Sequence, residues 1–234
     1  MSSTTHAPAG AESGKPRIAI LGGTGREGSG LALRWAQAGY AVVIGSRESE
    51  KAQRVAGELN ERLGRDGIRG MANAEAARQA DIAALTVPYS AHRKTLEGLT
   101  EALQGKILID VTVPLRPPQV TRVYLPEEGP VAVQAQEILG AGTRVVGALQ
   151  NVGEHFLRDP ERVIDCDVLV SGDDTAAKEQ VIELVQALDP QIRAFDAGPL
   201  VNAAVAESLT PILIGLGKRF RRLRVGVRFT GIET

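Results

Sequence analysis

Apolar residues fall in short blocks along this chain, and the blocks alternate between two periods. Arg17–Leu21 (RIAIL) is a β-branched run that reads as a buried parallel strand. A glycine-rich turn, Gly22 to Gly28, precedes a helix-length stretch with apolar spacing, Leu31 to Ala38, which Gly39 ends. A second strand is expected at Ala41–Gly45 and a second amphipathic helix from Glu50 to Leu63. Strands follow at Ile68–Met71 and at Asp81–Val87, the latter stopped by Pro88. A helix over Ser90–Leu103 leads to a strand at Lys106–Val113. Leu115–Val120 (LRPPQV) must be a loop, because its prolines lack the N–H that a helix or central strand needs. The remaining elements are a helix at Val131–Leu139, strands at Arg144–Ala148 and Cys166–Gly172, a helix at Thr175–Leu188 and a strand at Ile192–Asp196. Pro199 to about Phe220 is apolar and long enough for a last helix, with Pro211 or Gly215 as points of breakage.

Strand–helix alternation predicts a doubly wound α/β fold on a mostly parallel sheet, with a short C-terminal α/β extension ending in a long helix. Ligands of such sheets bind beyond the carboxyl ends of the strands. Residues 1–16 are small and polar and are expected to form a disordered tail. Residues 17–150 would be a nucleotide-binding domain, and 151–234 a C-terminal part.

The composition narrows the function. The 234 residues suit one or two domains. The net charge of −1 disfavours non-specific nucleic-acid binding. The single cysteine, Cys166, excludes an internal disulfide and any multi-cysteine metal site, and no metal is expected. No apolar run approaches the ~20 residues of a membrane span. The first residues lack the apolar stretch of a signal peptide, which points to a cytoplasmic protein.

The sharpest motif is Gly23-Thr24-Gly25-Arg26-Glu27-Gly28, which satisfies G-x-G-x-x-G between a strand and a helix. Gly23 would allow the tight turn, Gly25 the approach of a pyrophosphate, and Gly28 close helix–strand packing. The helix N-terminus would receive the phosphates. This context makes the fold Rossmann-type. NAD enzymes place an acid at the end of the second strand. Here that position holds Gly45-Ser46-Arg47, with Lys51 one turn on, a set suited to the 2′-phosphate of NADP(H). Charged hydrogen bonds of roughly 1.5–3 kcal/mol would make Arg47 alone favour NADP(H) by about ten- to a hundred-fold.

Four segments carry a family resemblance: GGTGREGSGLALRWAQAGYAVVIGSR, LTVPYSAH, CDVLVSGDD and DAGPLVNAAVAESLTPILI. Together they resemble the coenzyme F420:NADP oxidoreductases over roughly residues 17–232. The resemblance implies reversible hydride transfer between NADP(H) and the 8-hydroxy-5-deazaflavin of coenzyme F420, by a homo-oligomer (dimer or tetramer) with no macromolecular partner. It implies that Thr24, Gly25, Arg26 and Glu27 line the pyrophosphate and that Ser46, Arg47 and Lys51 meet the 2′-phosphate. Val87 and Val113 would hold the nicotinamide half. Polar groups near the reacting rings would be Thr24, Gln150, Ser208 and Thr210, with Gln150, Ser208 and Thr210 acting by position. Residues 151–234 would complete the deazaflavin site and supply the oligomer interface. Family members carry a histidine where this chain has Gln150, and some an arginine where it has Ala204. Runner-up functions are an NADPH-dependent reductase of a flavin, metal chelate or imine, and a non-catalytic NADP(H)-sensing protein.

The cofactors carry such chemistry, so the protein must hold two flat rings and exclude water. Val87, Pro88, Val113, Pro114, Leu149 and Val152 are expected to do this. Other candidates have plainer readings. His6 lies in the tail, His92 in a first helical turn, and His155 on the surface. Cys166 reads as a small buried hydrophobe. Asp173-Asp174 reads as a helix start, and Ser208 and Thr210 could bond back to helix carbonyls. The run Lys218–Arg224 (KRFRRLR) either solvates a helix end or attracts the anionic tail of the deazaflavin.

Overall fold

In the computed structural model, which describes residues 14–232, strand and helix alternate through the first six strands as expected, with an additional helix after the third strand. These elements are β1 (Ile18–Leu21), α1 (Arg26–Gln37), β2 (Val42–Ser46), α2 (Ser49–Leu63), β3 (Ile68–Ala72), α3 (Asn73–Gln79), β4 (Ile82–Leu85), α4 (Tyr89–Glu97), β5 (Ile107–Asp110), α5 (Val131–Leu139) and β6 (Arg144–Gly147). After them come α6 (Glu154–Leu157), β7 (Asp167–Gly172), α7 (Thr175–Gln186), β8 (Arg193–Asp196) and α8 (Ala203–Phe220). The eight strands form one sheet in the order β3-β2-β1-β4-β5-β6-β7-β8. β1 to β6 are mutually parallel; β7 pairs with β6 antiparallel, through Val146–Gly172 and Gly147–Ser171, and with β8 parallel.

Strand residues of successive parity face opposite layers. Ile18, Ile20, Val42, Ile44, Ile82 and Ile107 pack under α1, α2 and α7. Ala19, Leu21, Val43, Leu85, Leu108 and Val145 pack under α3, α4 and α5. This is why the central strands read as continuous apolar runs. The first layer joins residues on both sides of position 150: Leu31 and Trp35 of α1 share a core with Val181, Leu184 and Val185 of α7.

Two helices differ from expectation, and two were unforeseen. α4 ends at Glu97, and residues 98–103 continue as turns, in which the Leu99 N–H donates to the Leu96 carbonyl (2.9 Å) and the Leu103 N–H to the Leu99 carbonyl (3.0 Å) while both leucines stay buried. α8 runs unbroken through Pro211 and Gly215. A proline forfeits one i→i−4 bond there, and its ring is buried against the protein. α3 and α6, of seven and four residues, carry too few positions for a period to emerge. Of the expected tail, residues 1–13 lie outside the described residues; Lys15 donates to the Ala38 carbonyl (2.8 Å) and lies over the Tyr40 ring. Leu200–Phe220 is long and apolar enough to cross a membrane by length and composition; here it packs on β7 and α5, and its Glu207 bonds to α5.

Candidate active site

The glycine turn is held by the chain's own backbone. Gly22 takes φ +73°, and its N–H donates to Asn73 Oδ1 (3.1 Å). The Gly23 N–H donates to the carbonyls of Ile20 (3.1 Å) and Gly45 (3.0 Å). A Cβ on Gly23 would sit 2.7 Å from Ile20 O, and one on Gly28 would sit 2.6 Å from Gly23 Cα and from Thr86 Oγ1. Internal packing therefore dictates glycine at both positions. At Gly25 a Cβ would meet nothing closer than 3.9 Å, so the protein leaves that face open. Gly25 is also the N-cap of α1 and supplies no capping side chain, which leaves the first N–H groups of the helix for an anion. Thr24 is half-buried at this turn.

At the end of β2, Ser46 is buried and its Oγ accepts from the Glu48 N–H (3.2 Å). Arg47 and Lys51 are exposed, and neither side chain makes a hydrogen bond or ion pair among the described residues. Asn73, which sequence reasoning missed, lies under both strand ends: a Cβ on Gly45 would fall 2.7 Å from its Oδ1. Val87 packs on the turn, its Cγ1 2.5 Å from where a Gly22 Cβ would be. Val113 is half-buried after β5, its carbonyl accepting from the Leu115 N–H (2.7 Å). Pro114 is buried and Pro88 exposed.

Leu149 and Val152 do not face a ligand. Both are buried in the α1–α7 layer of the core, because the loop after β6 turns inward. Leu149 adopts φ +71°, a left-handed conformation that costs a branched residue of order 1–3 kcal/mol. The turn sets Gln150 against the end of β5, where its Nε2 donates to the Asp110 carbonyl (3.0 Å). Gln150 Oε1 and Thr112 Oγ1 are buried with no hydrogen-bond partner. Unpaired buried acceptors of this kind call for a ligand or water donor.

Around the Gln150 amide lies a set of buried ionisable side chains that the sequence did not disclose. His92 is wholly buried in α4, and its Nε2 lies 2.7 Å from Asp110 Oδ2. Asp110 Oδ1 accepts from the Thr112 N–H (2.9 Å), fixing the loop that leads to Val113. Glu207 of α8 accepts from the N–H groups of Val131 (3.0 Å) and Ala132 (3.2 Å), and so caps α5. Burial pushes Glu207 up to about 7, against the pull of those two N–H groups and with the charge of Asp110 adding to the rise. The available signal was a lone acid within KILIDVTV and another within the apolar α8.

Between α1, α6 and α8 opens a cavity of about 800 Å³. Gln150 and Thr210 line it together, and Thr210 Oγ1 donates to the Gln150 carbonyl (2.5 Å). Leu213, Ile214, Phe156 and Val225 give it apolar walls. Ser208 is not among the lining residues; its Oγ donates one turn back to the Ala204 carbonyl (2.7 Å). Glu27 also lines the cavity, although the motif assigned it to the pyrophosphate. Burial, and then the charge of Glu154, push Glu27 up to about 8, so it is largely protonated at neutral pH. Arg26 is exposed and pairs with Glu154 (3.1 Å). His155 lines the cavity as well, half-exposed. Elsewhere, Cys166 is buried, Asp174 caps α7 through the Ala177 N–H (2.7 Å), and Asp173 accepts from the Leu200 N–H. Among the described residues no group of three His, Cys, Asp or Glu side chains is placed to hold a metal.

Residues 17–114 match the family model described as NADP oxidoreductase, coenzyme F420-dependent. An F420-dependent NADP reductase of Methanocaldococcus jannaschii is 40% identical over 224 residues, covering 93% of this chain and 99% of that one. The reductase of the same name from Methanothermobacter marburgensis is 42% identical, covering 92% and 99%. Among solved structures, one described as an F420-dependent NADP-reductase from Arthrobacter sp. FB24 superposes with a TM-score of 0.77 at 26% identity, covering 92% of this chain and 100% of that one.

Proposed function

This chain belongs to the coenzyme F420-dependent NADP oxidoreductases and exchanges hydride between NADP(H) and coenzyme F420, and we propose that it does so across the seam between the glycine turn and the α8 cavity. The observation that carries this placement is the orphaned Gln150 Oε1, the buried acceptor of a residue that lines the cavity together with Glu27, two positions along α1 from the open face of Gly25. Near-full-length relatives leave little room for a flavin, chelate or imine reductase or for a sensor.

The residues fit both co-substrates. The open Gly25 face and the uncapped start of α1 suit a pyrophosphate, and the unpartnered Arg47 and Lys51 suit a 2′-phosphate. Bound NADPH supplies the hydride that the deazaflavin ring receives. The protein orients and desolvates. Val87 and Val113 border the nicotinamide side, and Leu213, Ile214 and Phe156 exclude water from the cavity. Gln150 accepts a hydrogen bond from a ring N–H through Oε1, while Asp110 holds its amide. Thr210 fixes the Gln150 backbone and Ser208 the backbone of α8, so both act at one remove. A histidine at position 150 could change charge near pH 6.5; glutamine cannot, so Gln150 brings no titrating group to the ring contact.

The active form is a homo-oligomer in the cytoplasm, without nucleic-acid or membrane partners. An apolar stripe supports the oligomer: Val201, Val205, Ile212, Leu216 and Phe220 are exposed along one side of the α8 segment. Mixing the protein with NADPH and oxidised coenzyme F420 should bleach the deazaflavin absorbance rapidly. NADH or FMN as replacements should give far slower rates. Bleaching equally fast in a Gln150→Ala variant would overturn the placement.

A further inference from the structure

The run Lys218–Arg224 divides in the structure. Arg224 Nε donates to the His155 carbonyl (3.0 Å), and Arg219 stands against the Phe220 ring. Lys218, Arg221 and Arg222 instead line the α8 cavity, and none of the three side chains has a hydrogen bond or ion pair among the described residues. Three cations within five residues repel one another, and the fold nevertheless gathers them on one wall of an open cavity. The carboxylates that face them do not offset this. Glu154 is engaged by Arg26, and Glu27 holds its proton near neutrality.

The fold also fixes that wall. Arg221 ends α8 in the left-handed conformation (φ +53°), and the Arg222 N–H closes back on the Gly217 carbonyl (2.8 Å). A Cβ on Gly217 would lie 2.8 Å from the Arg222 carbonyl oxygen, so the turn needs glycine there. Beyond it the chain is strapped to β7. The Asp167 N–H donates to the Val227 carbonyl (2.8 Å), and the Asp167 carboxylate takes Arg193, Arg228 (2.6 Å) and the Phe229 N–H (2.6 Å).

Resting on the reading above, we propose that Lys218, Arg221 and Arg222 form a subsite for the anionic tail of the deazaflavin co-substrate, its phosphodiester and terminal carboxylates. Thr210 marks the ring end of the cavity and Lys218 the tail end. Thr210 and Lys218 stand eight positions apart on α8, about 12 Å along the helix at 1.5 Å per residue. The strap acts through these cations: it keeps the turn, and so their position, in place.

The test compares binding of two probes by fluorescence, without NADPH. One is coenzyme F420; the other is the same deazaflavin riboside lacking phosphate and glutamate. The wild-type chain should bind the tailed form at least tenfold more tightly at low salt, with the ratio shrinking as salt rises. In a Lys218→Gln/Arg221→Gly/Arg222→Gln variant, with glycine chosen to suit the left-handed position, the ratio should fall towards one. The affinity for the tailless form and for NADPH, and the melting temperature, should stay as they were. Equal affinity of the wild type for both probes, or full discrimination by the variant, would overturn the subsite while leaving the oxidoreductase reading intact. Binding of neither probe, together with no NADPH-dependent bleaching, would overturn the reading and the subsite with it.

Discussion

At the residue scale, the three motif glycines separate by what each one faces. Gly28→Ala drives a methyl group to 2.6 Å from Gly23 Cα and should lower the melting temperature by several degrees. Gly25→Ala meets nothing within 3.9 Å and has ordinary backbone angles (φ −79°, ψ 172°), so its melting temperature should stay close to wild type. Its dissociation constant for NADPH should nevertheless rise at least tenfold, because the methyl group occupies the face left open for the pyrophosphate. Calorimetry and fluorescence titration read the two effects separately. Arg47 is the matching case at β2: Arg47→Asp should cut the preference for NADPH over NADH by about ten- to a hundred-fold, measured as the ratio of kcat/KM values. An unchanged ratio would remove Arg47 from the 2′-phosphate site.

At the scale of elements, α8 and α5 are joined by a titratable contact. Glu207 has a folded pKa raised from 4.5 to about 7, so the folded state binds its proton more tightly than the unfolded chain does. The stability this gives is complete below about pH 4.5 and is lost as pH rises through 7. Glu27, raised to about 8, acts with the same sign over a wider window. Melting temperature should therefore decline from pH 5 to 8, and Glu207→Gln should remove part of that slope while Gln Oε1 still accepts from α5. A slope as steep in the variant as in the wild type would assign it elsewhere.

The same contact shows where sequence reading stops. Strands β1, β2, β4 and β5 were legible because both faces are buried and the β-branched runs are unbroken. The glycine turn and the position of Arg47 at the end of β2 were legible because both are local features of the chain. Asp110 and Glu207 were not, since their partners stand 18 residues (His92) and 76 residues (Val131) away in sequence. The KRFRRLR run was visible as charge, but which of its members face the cavity depends on the left-handed turn at Arg221. Leu149 and Val152 were misread for the same reason: an unforeseen left-handed residue rotates their loop inward.

At the scale of the whole molecule, the question is whether residues 17–150 and 151–234 fold as two units or one. The buried contacts that cross position 150 argue for one. Arg34 of α1 is almost fully buried; its Nη2 donates to the Phe156 carbonyl (2.8 Å), and its Nη1 donates to the Leu188 carbonyl and pairs with Asp189 (3.2 Å). Burial pulls the pKa of this guanidinium down, yet it has partners from both α6 and the end of α7. The neighbouring Trp35 Nε1 donates to the Leu184 carbonyl (2.8 Å). A unit comprising residues 17–150 alone would expose this face of α1, and within the whole chain removing Arg34 would leave the buried Asp189 and the carbonyls around it without their donor, a loss of about 3–5 kcal/mol. That is a large fraction of a typical domain's stability of about 5–15 kcal/mol. The chain should therefore unfold in one cooperative transition. Trp35 is the only tryptophan and sits on the junction, so its fluorescence reports the interface while far-ultraviolet circular dichroism reports the whole fold. The two denaturant curves should coincide, and in Arg34→Met both should shift together to lower denaturant. A fluorescence change that precedes the loss of helix would instead mean that the C-terminal part releases first, and that the two segments are separable units.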